Sequence, residues 1–238
     1  ALEAGGRVRD GLRDGVQRAL ELLGSGLLSH PANAALREAV ASGDLPAQEY
    51  YRQLLRLIYR LLFLMVAEER HLISGSERGL DLYREHYSVT RLRRLAEQPG
   101  GGRGHYADLW LGLLATFRVL RDDEAANVLG VTALDGDLFG PHAMAALEGT
   151  QLFNSALLAA VRALSLYRDP QSKLLRRVNY SALDVEELGS VYESLLDYRP
   201  VVADLTPAAA AASPLHGGGE GWRGGAGVRF ELVPGLSL

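Results

Sequence analysis

The chain has no cysteine among its 238 residues, which excludes disulfides, a thiolate zinc site and a cysteine nucleophile. Lysine is almost as scarce, since of 25 basic residues only Lys173 is not an arginine. Because Lys173 follows Gln171-Ser172, the E-x-K element that accompanies many metal-dependent nucleases is missing. Long apolar runs are missing too. The most apolar stretch, Leu54 to Val66, contains Arg56 and Arg60 and is shorter than the ~18–20 residues that span a bilayer. The charged stretch Ala1 to Leu23 lacks the apolar core of a signal peptide. Strong charge of one sign is also absent. A net charge of −4 excludes a surface that binds nucleic acid over its whole extent and leaves room for a local basic patch. The expectation is a cytoplasmic piece of a longer chain with no membrane contact.

What is present is helical periodicity. Val8, Leu12, Val16, Leu20 and Leu23 fall on one face of a helix over Arg7 to Leu23, which Gly24 and Gly26 are expected to end. Pro31 precedes a short helix over Ala34 to Val40. Asp44 is the expected N-cap of a long helix from about Pro46 to Leu72, apolar nearly all round and therefore central. Further helices are read over His105 to Val119 and Leu152 to Leu166. Ser181 and Asp184 mark another helix start before Val185, with short strands expected at Arg177 to Tyr180 and Arg199 to Val202. Gly189 inside that helix costs about 1 kcal/mol against alanine and predicts close approach of another backbone. The predicted fold is mainly α. It is a multi-helix domain over residues 1–204 around a long buried central helix, with short β segments. A flexible Ala/Gly-rich linker at 205–227 and a strand within 228–238 follow.

The chemistry-bearing motifs are few. Gly219, Gly221 and Gly224 spell G-x-G-x-x-G, but without a preceding buried strand and a following helix they read as linker. The six histidines show no metal-ligand spacing, and Asp122, Asp123, Glu124, Asp135 and Asp137 have no nuclease context. No Walker A loop and no G-x-S-x-G elbow occur. Arginines are the informative residues. Arg84, Arg91, Arg93 and Arg94, interleaved with Tyr83 and Tyr87, form a candidate DNA-backbone patch, and the competing reading is a solvated face paired with Glu77, Asp81, Glu85 and Glu97.

Four segments carry a resemblance. Val178 to Leu196 (VNYSALDVEELGSVYESLL) is similar to an element that lies shortly before the catalytic domain of large adenine-specific DNA methyltransferases, including type IIG restriction–modification enzymes and BREX and DISARM phage-defence methylases. Tyr59 to Arg70 (YRLLFLMVAEER) resembles a helix of that family, Tyr87-Ser88 with Leu92 one of its short elements, and Asp135 to Phe139 one of its turns, in the same order. The family's glycine-rich S-adenosylmethionine motif and Asn-Pro-Pro-Tyr motif have no counterpart here, because none of Asn33, Asn127, Asn154 and Asn179 precedes a proline. The resemblance therefore implies a helical segment, inactive by itself, that supports a C-terminal methylase domain. It implies S-adenosylmethionine as cofactor of the longer protein, and double-stranded DNA and defence-system subunits as partners. The alternative is a helical protein-interaction module of a defence complex without DNA contact.

Overall fold

The computed structural model describes residues 2–98, 105–134, 136–169, 171–204 and 228–235; the linker 205–227 with its G-x-G-x-x-G motif, the Gly100–Gly102 and Gly104 cluster, and Asp135 lie outside them. The first helix does not end at its glycines. Helix α1 spans Leu2–Ser29 and runs straight through Gly24 and Gly26. A Cβ on Gly24 would sit 2.5 Å from the Phe230 ring, one on Gly26 2.8 Å from Leu152 Cδ1, and one on Gly15 2.3 Å from the Ala163 carbonyl oxygen. Close approach, and not chain termination, is what these glycines supply; the local penalty of glycine is offset by packing that no larger residue permits. From Leu12 to Leu28 the inward face of α1 is fully buried.

After a 3-10 turn at Pro31–Asn33 come α2 (Ala34–Ser42) and α3 (Ala47–Glu69). Pro46, not Asp44, occupies the N-cap of α3; the Asp44 carboxylate instead accepts from the Ser42 hydroxyl at 2.8 Å. Helix α3 is buried on most sides, as its composition predicts, although Phe63 and Arg52 reach solvent. Its neighbours include α1, which shares the centre of the fold. Tyr50 and Tyr51, both buried, donate to the carbonyls of Gly24 and Leu195 at 2.9 and 2.7 Å, so their polar ends are satisfied inside the core.

Helix α4 (Glu77–Leu82) passes through a π-turn (Tyr83–Tyr87) into α5 (Val89–Glu97). Helices α6 (Asp108–Arg121) and α7 (Asp123–Leu129) follow, the second capped by the Asp122 side chain, which gives the acidic cluster a structural role. The turn-rich stretch to Thr150 leads into α8 (Asn154–Ser165), which lies along α1. Helix α9 (Val185–Leu196) is started by Asp184 with Glu187 in a reciprocal capping box; Ser181, expected to share that cap, bonds Asn179 instead.

Two antiparallel ribbons complete the fold. Strands β1 (Leu166–Arg168) and β2 (Leu175–Arg177) form a hairpin, so the expected strand over Arg177 to Tyr180 begins and ends earlier. Strand β3 (Tyr198–Ala203) pairs over six residues with β4 (Arg229–Pro234). The strand expected in the C-terminal stretch thus folds back into the helical domain: Phe230 and Leu232 alternate inward, and Phe230 packs edge-on against Tyr50. The Ser25 hydroxyl donates to the Phe230 carbonyl at 3.3 Å and accepts from its N–H at 3.0 Å, and the Ser29 hydroxyl donates to the Val228 carbonyl at 3.3 Å. Small residues on α1 therefore bind the edge of β4 that β3 leaves open.

Candidate nucleic-acid interface

Helix α5 carries three of the candidate arginines, Arg91, Arg93 and Arg94. Ser88 caps it by accepting from the Arg91 N–H, which fixes the rotation of the helix. At 3.6 residues per turn, Val89, Leu92, Arg93 and Ala96 then point inward. Arg94 is exposed, Arg91 half-buried, and Arg84 exposed on the preceding π-turn beside Asp81 at 3.3 Å. Arg93 is a correction. It is fully buried, so it is no part of a surface patch. Its guanidinium pairs with Glu69, donates to Ser165 Oγ and to the Val178 carbonyl at 3.3 and 3.0 Å, and lies 4.9 Å from the centre of the Tyr180 ring. A buried cation survives only with such partners.

Arg93 belongs to a polar junction at the end of α3. Glu69 also accepts from the Ser181 N–H at 3.0 Å. Glu68 accepts from Tyr83 Oη at 2.7 Å and from the N–H groups of Val89 and Thr90 at 2.8 and 2.7 Å, so its carboxylate sits on the positive end of α5. Burial raises the pKa of Glu68, and the hydrogen bonds from Tyr83, Thr90 and Val89 work against that rise. Arg70 donates to the carbonyls of Ser181 and Leu183. More than two turns earlier on α3, Arg60 donates to the Leu138 and Gly140 carbonyls at 2.7 and 3.1 Å, between the rings of Phe117 and Phe139. Burial, helped by Arg121 and opposed by Glu148, pushes Arg60 down to about 10, which leaves it cationic at neutral pH.

These contacts join the four segments that carry the resemblance. Helix α3 reaches the Tyr87–Leu92 segment through Glu68, the turn ending at Phe139 through Arg60 and Phe63, and the Val178–Leu196 segment through Glu69, Arg70 and Tyr59. Arg93, one of the arginines with a solvated-face reading in sequence, is instead a joint between elements, as are Arg60, Glu68, Glu69 and Arg70. The signal in the sequence is the Glu68-Glu69-Arg70 triplet that ends the apolar stretch Leu61 to Ala67.

Gly189 departs from expectation. A Cβ there would meet nothing within 4 Å, so no backbone of the described residues approaches it. It lies on an open face of α9 with Tyr192 and Leu196, 42% and 54% exposed. Tyr192 touches Tyr59 edge-on at 5.0 Å, and the Tyr59 hydroxyl is buried without a hydrogen-bond partner among the described residues.

Two surface depressions of about 250 and 300 Å³ lie against Arg121 and Phe139 and against Glu69 and Arg177. Among the described residues no cluster of three or more acidic or histidine side chains could hold a metal ion, and no helix is long and apolar enough to cross a membrane. Family models, curated proteins and solved structures give no match to this chain.

Proposed function

We propose that this chain is the helical support segment that precedes the catalytic domain of a cytoplasmic adenine-N6 DNA methyltransferase of a restriction–modification or phage-defence system. The observation that supports this reading is the convergence just described. Three of the stretches resembling one family's elements contact the fourth, the Tyr59–Arg70 half of α3, through Arg60, Glu68, Glu69 and Arg70, and independent surface motifs would have no reason to meet there. S-adenosylmethionine and the flipped adenine would be held by the catalytic domain, since none of the residues here belongs to either motif. The segment would supply rigidity and a docking face. Phosphate contacts would fall to the exposed Arg84 and Arg94 and the half-buried Arg91.

The test is N6-methyladenine in the genome of cells carrying the full-length gene, read by single-molecule sequencing. Native cells should show one methylated motif that disappears with the gene. Arg93→Met should lower its occupancy and Arg94→Met should leave it near native. Absence of any gene-dependent methylated adenine would overturn the reading.

A second reading, a protein-interaction module without DNA contact, draws on the open face of α9, where a glycine with no neighbour inside the chain lies beside two exposed apolar side chains. Fluorescence anisotropy with short duplex DNA separates the two. Binding that collapses as salt rises supports phosphate contact, whereas no binding at low salt favours the interaction module.

A further inference from the structure

In the β1–β2 hairpin every residue of β2 is open to solvent, while Leu166 and Tyr167 of β1 are half-buried. Between Leu166 and Arg177 it carries four cations, Arg168, Lys173, Arg176 and Arg177, against the single carboxylate of Asp169. Arg176 pairs with Asp169 at 3.0 Å and Arg177 with Glu97 at 3.0 Å, while no carboxylate among the described residues pairs with Arg168 or Lys173. The register puts Arg168 opposite Leu175 and Leu166 opposite Arg177, so Arg168, Leu175 and Arg177 share one face. Tyr167 turns the other way and packs on Gly11 of α1, which fixes the ribbon to the domain.

The tip is built as firmly as its base. Asp169 Oδ1 accepts from the N–H groups of Gln171 and Ser172 at 2.9 and 3.1 Å, and Arg168 donates to the Lys173 carbonyl at 2.8 Å. Lys173 sits at φ +58°, a left-handed position where glycine or asparagine is the low-energy choice. The only lysine of the chain thus occupies a strained site that presents its charge at the end of the ribbon. Charges on sheet edges also discourage strand pairing between molecules. Leu174 and Leu175, 62% and 50% exposed beside those charges, run against that purpose and call for a partner with both phosphates and apolar surface.

We propose that the β1–β2 hairpin is a duplex-DNA contact element, with Arg168, Lys173 and Arg177 on phosphates and Leu175, which shares a face with Arg168 and Arg177, turned into the major groove. The major groove of B-DNA admits a two-stranded ribbon and offers thymine methyl groups to apolar side chains. The inference rests on the reading that this chain works on DNA, and it moves the contact from α5 to an element of a different kind.

Anisotropy titrations of the whole chain with a 20-base-pair duplex across a salt series test it. The triple variant Arg168→Gln, Lys173→Asn, Arg177→Gln should bind at least ~10-fold more weakly, with a log–log salt slope shallower by about 2–3. Lys173→Asn alone keeps a residue suited to the left-handed turn and should flatten the slope by about 1. Leu175→Ser should weaken binding and leave the slope unchanged, whereas Leu174→Ser, on the opposite face, should bind as the native chain does. Native-like affinity in the triple variant, with binding lost in Arg91→Gln/Arg94→Gln, would overturn the hairpin assignment and keep the DNA reading. No binding by the native chain at low salt would overturn both, as would binding to phosphatidylserine vesicles in place of DNA.

Discussion

The two ribbons of this molecule share a pairing pattern and little else. In β3–β4 the strands are six residues long, Phe230 and Leu232 alternate into the core, and serines of α1 satisfy the outer edge. In β1–β2 the strands are three residues long, and β2 buries none of its side chains. Backbone pairing alone is marginal for a two-stranded ribbon in water. The first ribbon therefore persists through apolar burial, and the second through the turn at Asp169–Lys173 and the seat of Tyr167 on Gly11. A ribbon held at its base and tip, with its length left to solvent, is free to meet another molecule. A ribbon whose alternate residues fill the core is not.

Substitutions sharpen that contrast, beginning with the largest effect. Phe230→Ala should cost about 3–5 kcal/mol in denaturant unfolding by leaving a cavity between Gly24, Tyr50 and β4, whereas Leu175→Ala in the exposed ribbon should stay within about 0.5 kcal/mol. Equal costs would break the comparison. The same division holds within α5. Arg93→Met should cost about 3–5 kcal/mol because Glu69 is left without its buried partner, and Arg94→Met should shift the midpoint little.

Glycines divide in the same way. Gly15→Ala places a Cβ against the Ala163 carbonyl and should destabilise by about 1–3 kcal/mol despite the better helix propensity of alanine. Gly189→Ala meets open space and should raise stability by up to about 1 kcal/mol, visible as a higher thermal midpoint. A lower midpoint would mean that α9 is covered, for instance by a second copy. Smallest of all, Lys173→Gly relieves the left-handed strain and should stabilise the chain by about 1 kcal/mol or less in the same melts.

Much of this architecture was legible in the sequence because helices write themselves locally. The periodicity over 46–72, the helices around 34–40, 105–119 and 152–166, and the strand near 228–233 are all present within a residue or a turn. Errors fell where a residue's role depends on something distant. Gly24 and Gly26 have the composition of a helix stop, and only Phe230 and Leu152, brought from far along the chain, make them a cradle. The candidate site was legible in residue type but not in direction. Arg93 and Arg94 are neighbours in sequence with the same chemistry, and the cap at Ser88 turns one into the junction and the other to solvent.

Composition and hydrophobic period suffice for the helical class, the buried character of α3 and the absence of thiol chemistry. Only the tertiary structure decided which charges are structural. Elements remote in the chain took Arg60 and Arg93 out of water and half-buried Glu68 and Glu69, and left Arg168 and Lys173 in solvent. The physical reason is that a side chain's surroundings are set by long-range packing, while the sequence around it fixes only its local geometry.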